Sequence, residues 1–254
     1  GIAGAAVATL IAQCFSALYC LLVIRRIELL RLSREDFAPD FAIARRLLTL
    51  GAPMALQNGI IAVGGLVVQY VINGFGFIVI AGLTATNKIF GLLELAAISY
   101  GFSMSTYAGQ NLGAGKRSRI WQSVKAALVI YFVWWVFIMA FTFLCGEAAV
   151  RGVTGSDDEI IIANALLYLK ISVPIIPPMA VLVILRNMLQ GIQHTIEPLL
   201  ASALELIGKV IFAVWLVPVW GYRAVCFCEP TTWVICFVFI LFAAWRCRGD
   251  LRDA

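Results

Sequence analysis

Seven apolar stretches, each long enough to cross a bilayer, dominate this sequence, and no soluble core could absorb them all. A hydrocarbon layer about 30 Å thick requires about 20 mainly apolar residues per helical crossing. The stretches are A (Gly1–Ile24), B (Leu47–Ile72), C (Ile78–Ala108), D (Ile120–Cys145), E (Ile160–Gln190), F (Pro198–Val217) and G (Ala224–Trp245). Their polarity is continuous rather than alternating, which excludes transmembrane strands. The expected fold is therefore all-α, a polytopic transmembrane helix bundle of seven spans. C and E exceed one crossing, so tilt or kinks are expected. Pro174, Pro177 and Pro178 should bend or break E, because each removes a backbone donor.

Composition agrees. The chain of 254 residues is 62% hydrophobic and 13% charged, where a soluble domain carries about 25% charged residues. The net charge of +5 is not a nucleic-acid footprint, because the basic residues fall in short blocks between apolar runs. Arg25, Arg26, Arg31, Arg34, Arg45 and Arg46 join A to B. Lys116, Arg117 and Arg119 join C to D, and Arg246, Arg248 and Arg252 follow G. The B–C loop, Asn73 to Phe77, is uncharged. Arg151 in the D–E loop faces Glu147, Asp157, Asp158 and Glu159, and the F–G turn holds only Arg223. Seven alternating helices place every basic block on one side, which the positive-inside rule makes cytoplasmic. The expected location is a bacterial plasma membrane, with the basic loops and the C-terminus in the cytoplasm.

Gly1 stands inside an apolar run, with no basic region before it and no small-residue cleavage site after a short apolar core. Residues 1–24 read as the last helix of a lobe whose earlier part is missing. Residues 25–46 read as a basic cytoplasmic connector, in part helical along the membrane surface through Ile27, Leu30 and Leu32. Residues 47–254 form a six-helix lobe.

Polar groups inside spans are costly and mark either pairing or function. C presents Asn87, Gly91, Glu94, Ile98, Gly101 and Ser105 at helical spacing, with Glu94 near mid-span and Lys88 on another face. B presents Asn58, Ala62, Gly65, Gln69 and Asn73, and F presents Ser202, Glu205 and Lys209. Glu205 and Lys209 stand in the favourable i, i+4 order and read as a pair that glues helices together. Gly64, Gly65, Gly91 and Gly101 read as packing surfaces, and the amides as interhelical hydrogen bonds. Arg186, beside Asn187 and Gln190, has two readings: snorkelling toward the interface or a functional role. Glu94, with no partner in its own helix, reads as functional. The candidate substrate- and cation-binding residues are Glu94, Asn58, Gln69, Asn87, Glu205, Lys209 and Arg186.

No catalytic constellation is present, and neither an enzyme nor a resident cofactor or metal is expected. The single histidine, His194, reads as an exposed residue of the E–F turn. Cys226 and Cys228 have no histidine near them in sequence, so neither a zinc site nor a disulfide framework is suggested. The run GQNLGAGKR (Gly109–Arg117) lacks the phosphate-loop spacing and a preceding strand, and reads as a flexible basic turn ending C.

Several pieces together resemble the multidrug and toxic compound extrusion (MATE) transporters: GIAGAAVATLIAQ (Gly1–Gln13), LGAPMALQN (Leu50–Asn58), VINGFG (Val71–Gly76), GQNLGAGK (Gly109–Lys116), LRNMLQGIQHTIEPLLASALELIGK (Leu185–Lys209) and GYRA (Gly221–Ala224). The resemblance runs from the last helix of that family's N-terminal lobe to the chain end. It implies one lobe of a two-lobe antiporter that alternates between outward and inward openings. Such a transporter exports cationic or amphipathic organic compounds in exchange for sodium ions or protons. The implied partners are small organic cations, the bilayer and the N-terminal lobe. One departure stands out: Ile61 occupies the place of a cation-coupling glutamate that some members carry in the helix corresponding to B. Glu94, in the next helix, is the candidate substitute. A flippase for lipid-linked sugars, favoured by Lys88, Lys170, Arg186 and Lys209, is the alternative within transport. A non-transporting scaffold is the alternative outside it.

Overall fold

The computed structural model describes residues 2–27, 38–155, 158–247 and 249, without the side chains of residues 2, 77, 78, 81 and 85. Expectations for Gly1, Leu30, Arg31, Leu32, Arg34, Asp157, Arg248 and Arg252 lie outside the described residues. The described chain is helical, with no strand. Its elements are α1 (Ile2–Ile24), α2 (Phe41–Asn73), α3 (Phe77–Gly113), α4 (Ser118–Thr154), α5 (Glu159–Ser172), α6 (Ile176–Gly191), α7 (Ile196–Ile211), α8 (Val217–Trp220) and α9 (Tyr222–Arg246). Seven segments are long and apolar enough to cross a membrane, and they coincide with the seven expected spans.

The chain divides into two compact units, Gly1–Leu48 and Thr49–Ala254. In the first, the described side chains of α1 are all exposed, as suits a helix whose solvent is lipid. α2 begins at Phe41, inside the stretch 25–46 read as a connector that is helical in part. Asp40 explains the start: its carboxylate accepts from the amides of Ala42 and Ile43 at 2.8 and 3.1 Å, satisfying donors that the first turn leaves free.

In the second unit two features break helical regularity, and proline causes both. Span E divides into α5 and α6 around a short 3-10 turn, Val173–Ile175. Pro177 cannot donate to the carbonyl of Val173, and the indole N–H of Trp135 on α4 donates to that carbonyl instead, at 3.0 Å. Span F widens into a π-helical stretch, Phe212–Leu216, between α7 and α8, where Val217 N–H reaches back to the Phe212 carbonyl. Pro218 stands just beyond, and the wider turn accommodates its ring. Gly221, at φ 60°, then reverses the chain into α9, a conformation costly for residues with a Cβ.

The core lies where α3, α4, α5, α6 and α9 meet, in one cluster around Leu169, Val173 and Ile176 and another around Leu185, Met188 and Ile240. Small residues let the helices approach. A Cβ on Gly101 would stand 2.7 Å from Nδ2 of Asn187, and one on Gly208 would stand 2.7 Å from Cγ2 of Thr232. Gly101 and Gly64 do serve packing, whereas Gly65 and Gly91 face open space in the described structure. The run GQNLGAGKR is less of a turn than expected, since α3 continues through Gly113.

Candidate functional site

Arg186, Glu205 and Lys209 are charged residues in apolar helices, yet all three are buried. They survive burial by pairing. Glu205 accepts from Lys209 at 3.0 Å, one turn along α7, and from Arg186 of α6 at 3.4 Å. Lys209 also reaches Glu229 of α9 at 2.9 Å. The network thus ties three helices together with two cations and two carboxylates. Removing one partner of such a buried pair leaves a charge uncompensated, at a cost of about 3–5 kcal/mol.

Beside this network lies an open cavity of about 450 Å³. Met54, Gln57, Asn58 and Ile61 of α2 line one wall, and Glu94, Ile98 and Phe102 of α3 another. Arg186, Asn187 and Gln190 of α6, Glu205 of α7 and Trp233 of α9 complete it. Gln190 donates to Gln57 at 2.8 Å and so holds α2 to α6 at its edge. Nε of Arg186 is buried without a hydrogen-bond partner among the described residues. Glu94 makes no hydrogen bond or ion pair with a described residue, but it lies within electrostatic reach of Glu229, Glu205 and Lys209. The wall therefore carries one half-buried carboxylate that is not locked into a pair.

Of the residues singled out from sequence, the structure brings Asn58, Glu94, Arg186 and Glu205 to one cavity, with Lys209 directly behind Glu205. It does not bring Gln69 or Asn87 there. Both are exposed, and Gln69 instead donates to Asn73 at 2.8 Å along its own helix. The snorkelling reading of Arg186 is replaced by an inward, paired one. Glu229 and Gln57 were missed. Glu229 sits near the start of span G, 20 residues beyond Lys209 and without an i, i+4 cation to reveal it. His194 is also not the exposed loop residue expected. It is half-buried, 3.3 Å from Glu197 and 3.5 Å from the sulfur of Cys247.

The comparisons converge. A family model described as MatE matches residues 53–215. Two Bacillus subtilis (strain 168) proteins are similar in sequence. "Probable multidrug resistance protein YpnP" is 32% identical over 120 residues, 47% of this chain and 27% of that protein. "Probable multidrug resistance protein YoeA" is 23% identical over 137 residues, 52% of this chain and 30% of that protein. The fold matches a crystal structure described as MATE in complex with MaL6, at a TM-score of 0.86 and 17% identity. The match covers 99% of this chain and 57% of that one. The chain therefore spans under a third of each curated relative and little more than half of the solved transporter.

Proposed function

The chain belongs to the MatE family, and from that premise we propose that it forms the C-terminal lobe, with one preceding helix, of a secondary antiporter. The lobe supplies half of a central cavity through which cationic or amphipathic organic compounds leave the cell in exchange for sodium ions or protons. The observation that carries this reading is the charge balance around the 450 Å³ cavity. Arg186 and Lys209 are matched by Glu205 and Glu229, and Glu94 adds one further carboxylate. A wall with one carboxylate in excess attracts cations. Ile61 and Glu94 line this same cavity, which supports Glu94 as the coupling carboxylate in place of an acid in α2. The sidedness of Lys116, Arg117 and Arg119 supports a cytoplasmic location for the α3–α4 turn.

The flippase alternative needs a cationic cavity for a pyrophosphate. Of the four cations that favoured it, only Arg186 lines the cavity, while Lys88 and Lys170 are exposed elsewhere. The test is ethidium movement in everted vesicles from cells carrying the full-length transporter, with a sodium or pH gradient imposed. Gradient-dependent ethidium uptake is the expected result. Lipid-linked sugar accumulating on deletion, without ethidium uptake, would favour the flippase, and neither effect would favour a scaffold.

A further inference from the structure

Outside the lining of the charged cavity, at the junction of the α6–α7 turn with the end of α9, three side chains converge that no part of the transport reading uses. Nδ1 of His194 lies 3.3 Å from a carboxylate oxygen of Glu197 and 3.5 Å from Sγ of Cys247. All three donor atoms fall within 4.8 Å of one another. Local structure presents them. Gln193, at φ 69°, turns the chain out of α6, and His194 N–H closes back on the Leu189 carbonyl at 2.9 Å. Glu197 follows in the first turn of α7, three residues on, so its carboxylate returns to the ring. Cys247 is the residue just past α9 and is buried.

We propose that His194, Glu197 and Cys247 form a binding site for a divalent transition-metal ion of the zinc class. A tetrahedral zinc with bonds of ~2.0 Å to nitrogen, ~2.0 Å to oxygen and ~2.3 Å to sulfur sets its ligands ~3.3 Å (N to O) and ~3.5 Å (S to N) apart. The two spacings around Nδ1 match those values. A shared Nδ1–H, donated to the carboxylate and to a neutral thiol sulfur, holds the three side chains together in the metal-free chain. A divalent cation would take the place of that proton and use all three donors.

The mixture of donors selects the ion. Magnesium and calcium prefer oxygen ligands only, while imidazole with thiolate suits zinc and its neighbours. His194, Glu197 and Cys247 line a cavity of about 420 Å³ together with Leu200, Phe239 and Arg246, which would leave room for water or a small anion as the fourth ligand. Bound metal would clip the end of α9 to the α6–α7 turn. The site is independent of the transport reading and stands or falls separately from it.

The test uses the purified full-length transporter in detergent, freed of metal by a chelator and titrated with Co²⁺. One equivalent should bind with a thiolate-to-cobalt charge-transfer band and tetrahedral-type visible absorption. Zn²⁺ should displace it and Mg²⁺ should not. Cys247→Ser should abolish the charge-transfer band, and His194→Gln should weaken binding at least tenfold. Cys145→Ser, at an exposed thiol on α4, should leave the spectrum unchanged. Absence of the band at stoichiometric Co²⁺, or its retention in Cys247→Ser, would overturn the proposal. Should Cys247→Ser fail to fold, wild-type affinity in His194→Gln would overturn it equally.

Discussion

Glu94 and Glu205 line one cavity, yet their surroundings assign them different work. Glu205 accepts from two cations at 3.0 and 3.4 Å and is buried, so its charge is part of the architecture. Glu205→Gln should leave Arg186 and Lys209 undercompensated and cost about 3–5 kcal/mol, read as a lower thermal unfolding midpoint in detergent and less folded protein in the membrane. Glu94→Gln breaks no pair and should change stability by roughly 1 kcal/mol or less. Equal destabilisation by the two would mean that Glu94 is also structural. The Glu205–Lys209 pair was legible because both partners share a helix at i, i+4. Glu229 was not, since its partner lies on another helix and only packing brings the two within 2.9 Å. His194 was hidden for the same reason, 53 residues from Cys247.

The helices themselves were legible in number and approximate position because burial in lipid demands continuous apolarity. Their ends were not. α2 begins at Phe41 rather than Leu47, and α4 runs on to Thr154 rather than Cys145, because helical hydrogen bonding continues into polar residues outside the apolar slab. The proline break in span E was visible in Pro174, Pro177 and Pro178. Its repair was not, because the Trp135 indole comes from α4, 38 residues away. Trp135→Phe keeps an aromatic ring and removes the N–H, leaving the Val173 carbonyl with only the Ile176 N–H of the 3-10 turn. It should cost about 0.5–1.5 kcal/mol in the same thermal assay. No loss of stability would mean that the 3-10 turn satisfies that carbonyl by itself.

At the scale of the whole molecule, seven spans and alternating basic loops specify a topology that labelling can check. With exposed Cys14, Cys20 and Cys145 replaced by serine, a cysteine at Lys116 should react with an impermeant maleimide only in everted vesicles. One at Arg223 should react only in right-side-out vesicles or intact spheroplasts. Reaction of both from the same side would remove the seven-span arrangement. The cavity was less legible than the spans, because Asn58, Glu94 and Arg186 converge through packing that no stripe on a single helix reveals. Glu94, an unpaired carboxylate in one lobe of this fold, is proposed to couple ion entry to cation export. That role is tested most directly by ethidium exchange in proteoliposomes holding the full-length transporter under an imposed sodium or pH gradient, with and without Glu94→Gln. Gradient-driven exchange by the wild type is expected, with at least a tenfold loss in Glu94→Gln at equal reconstituted protein. Exchange by Glu94→Gln at the wild-type rate and with the same ion dependence would contradict it.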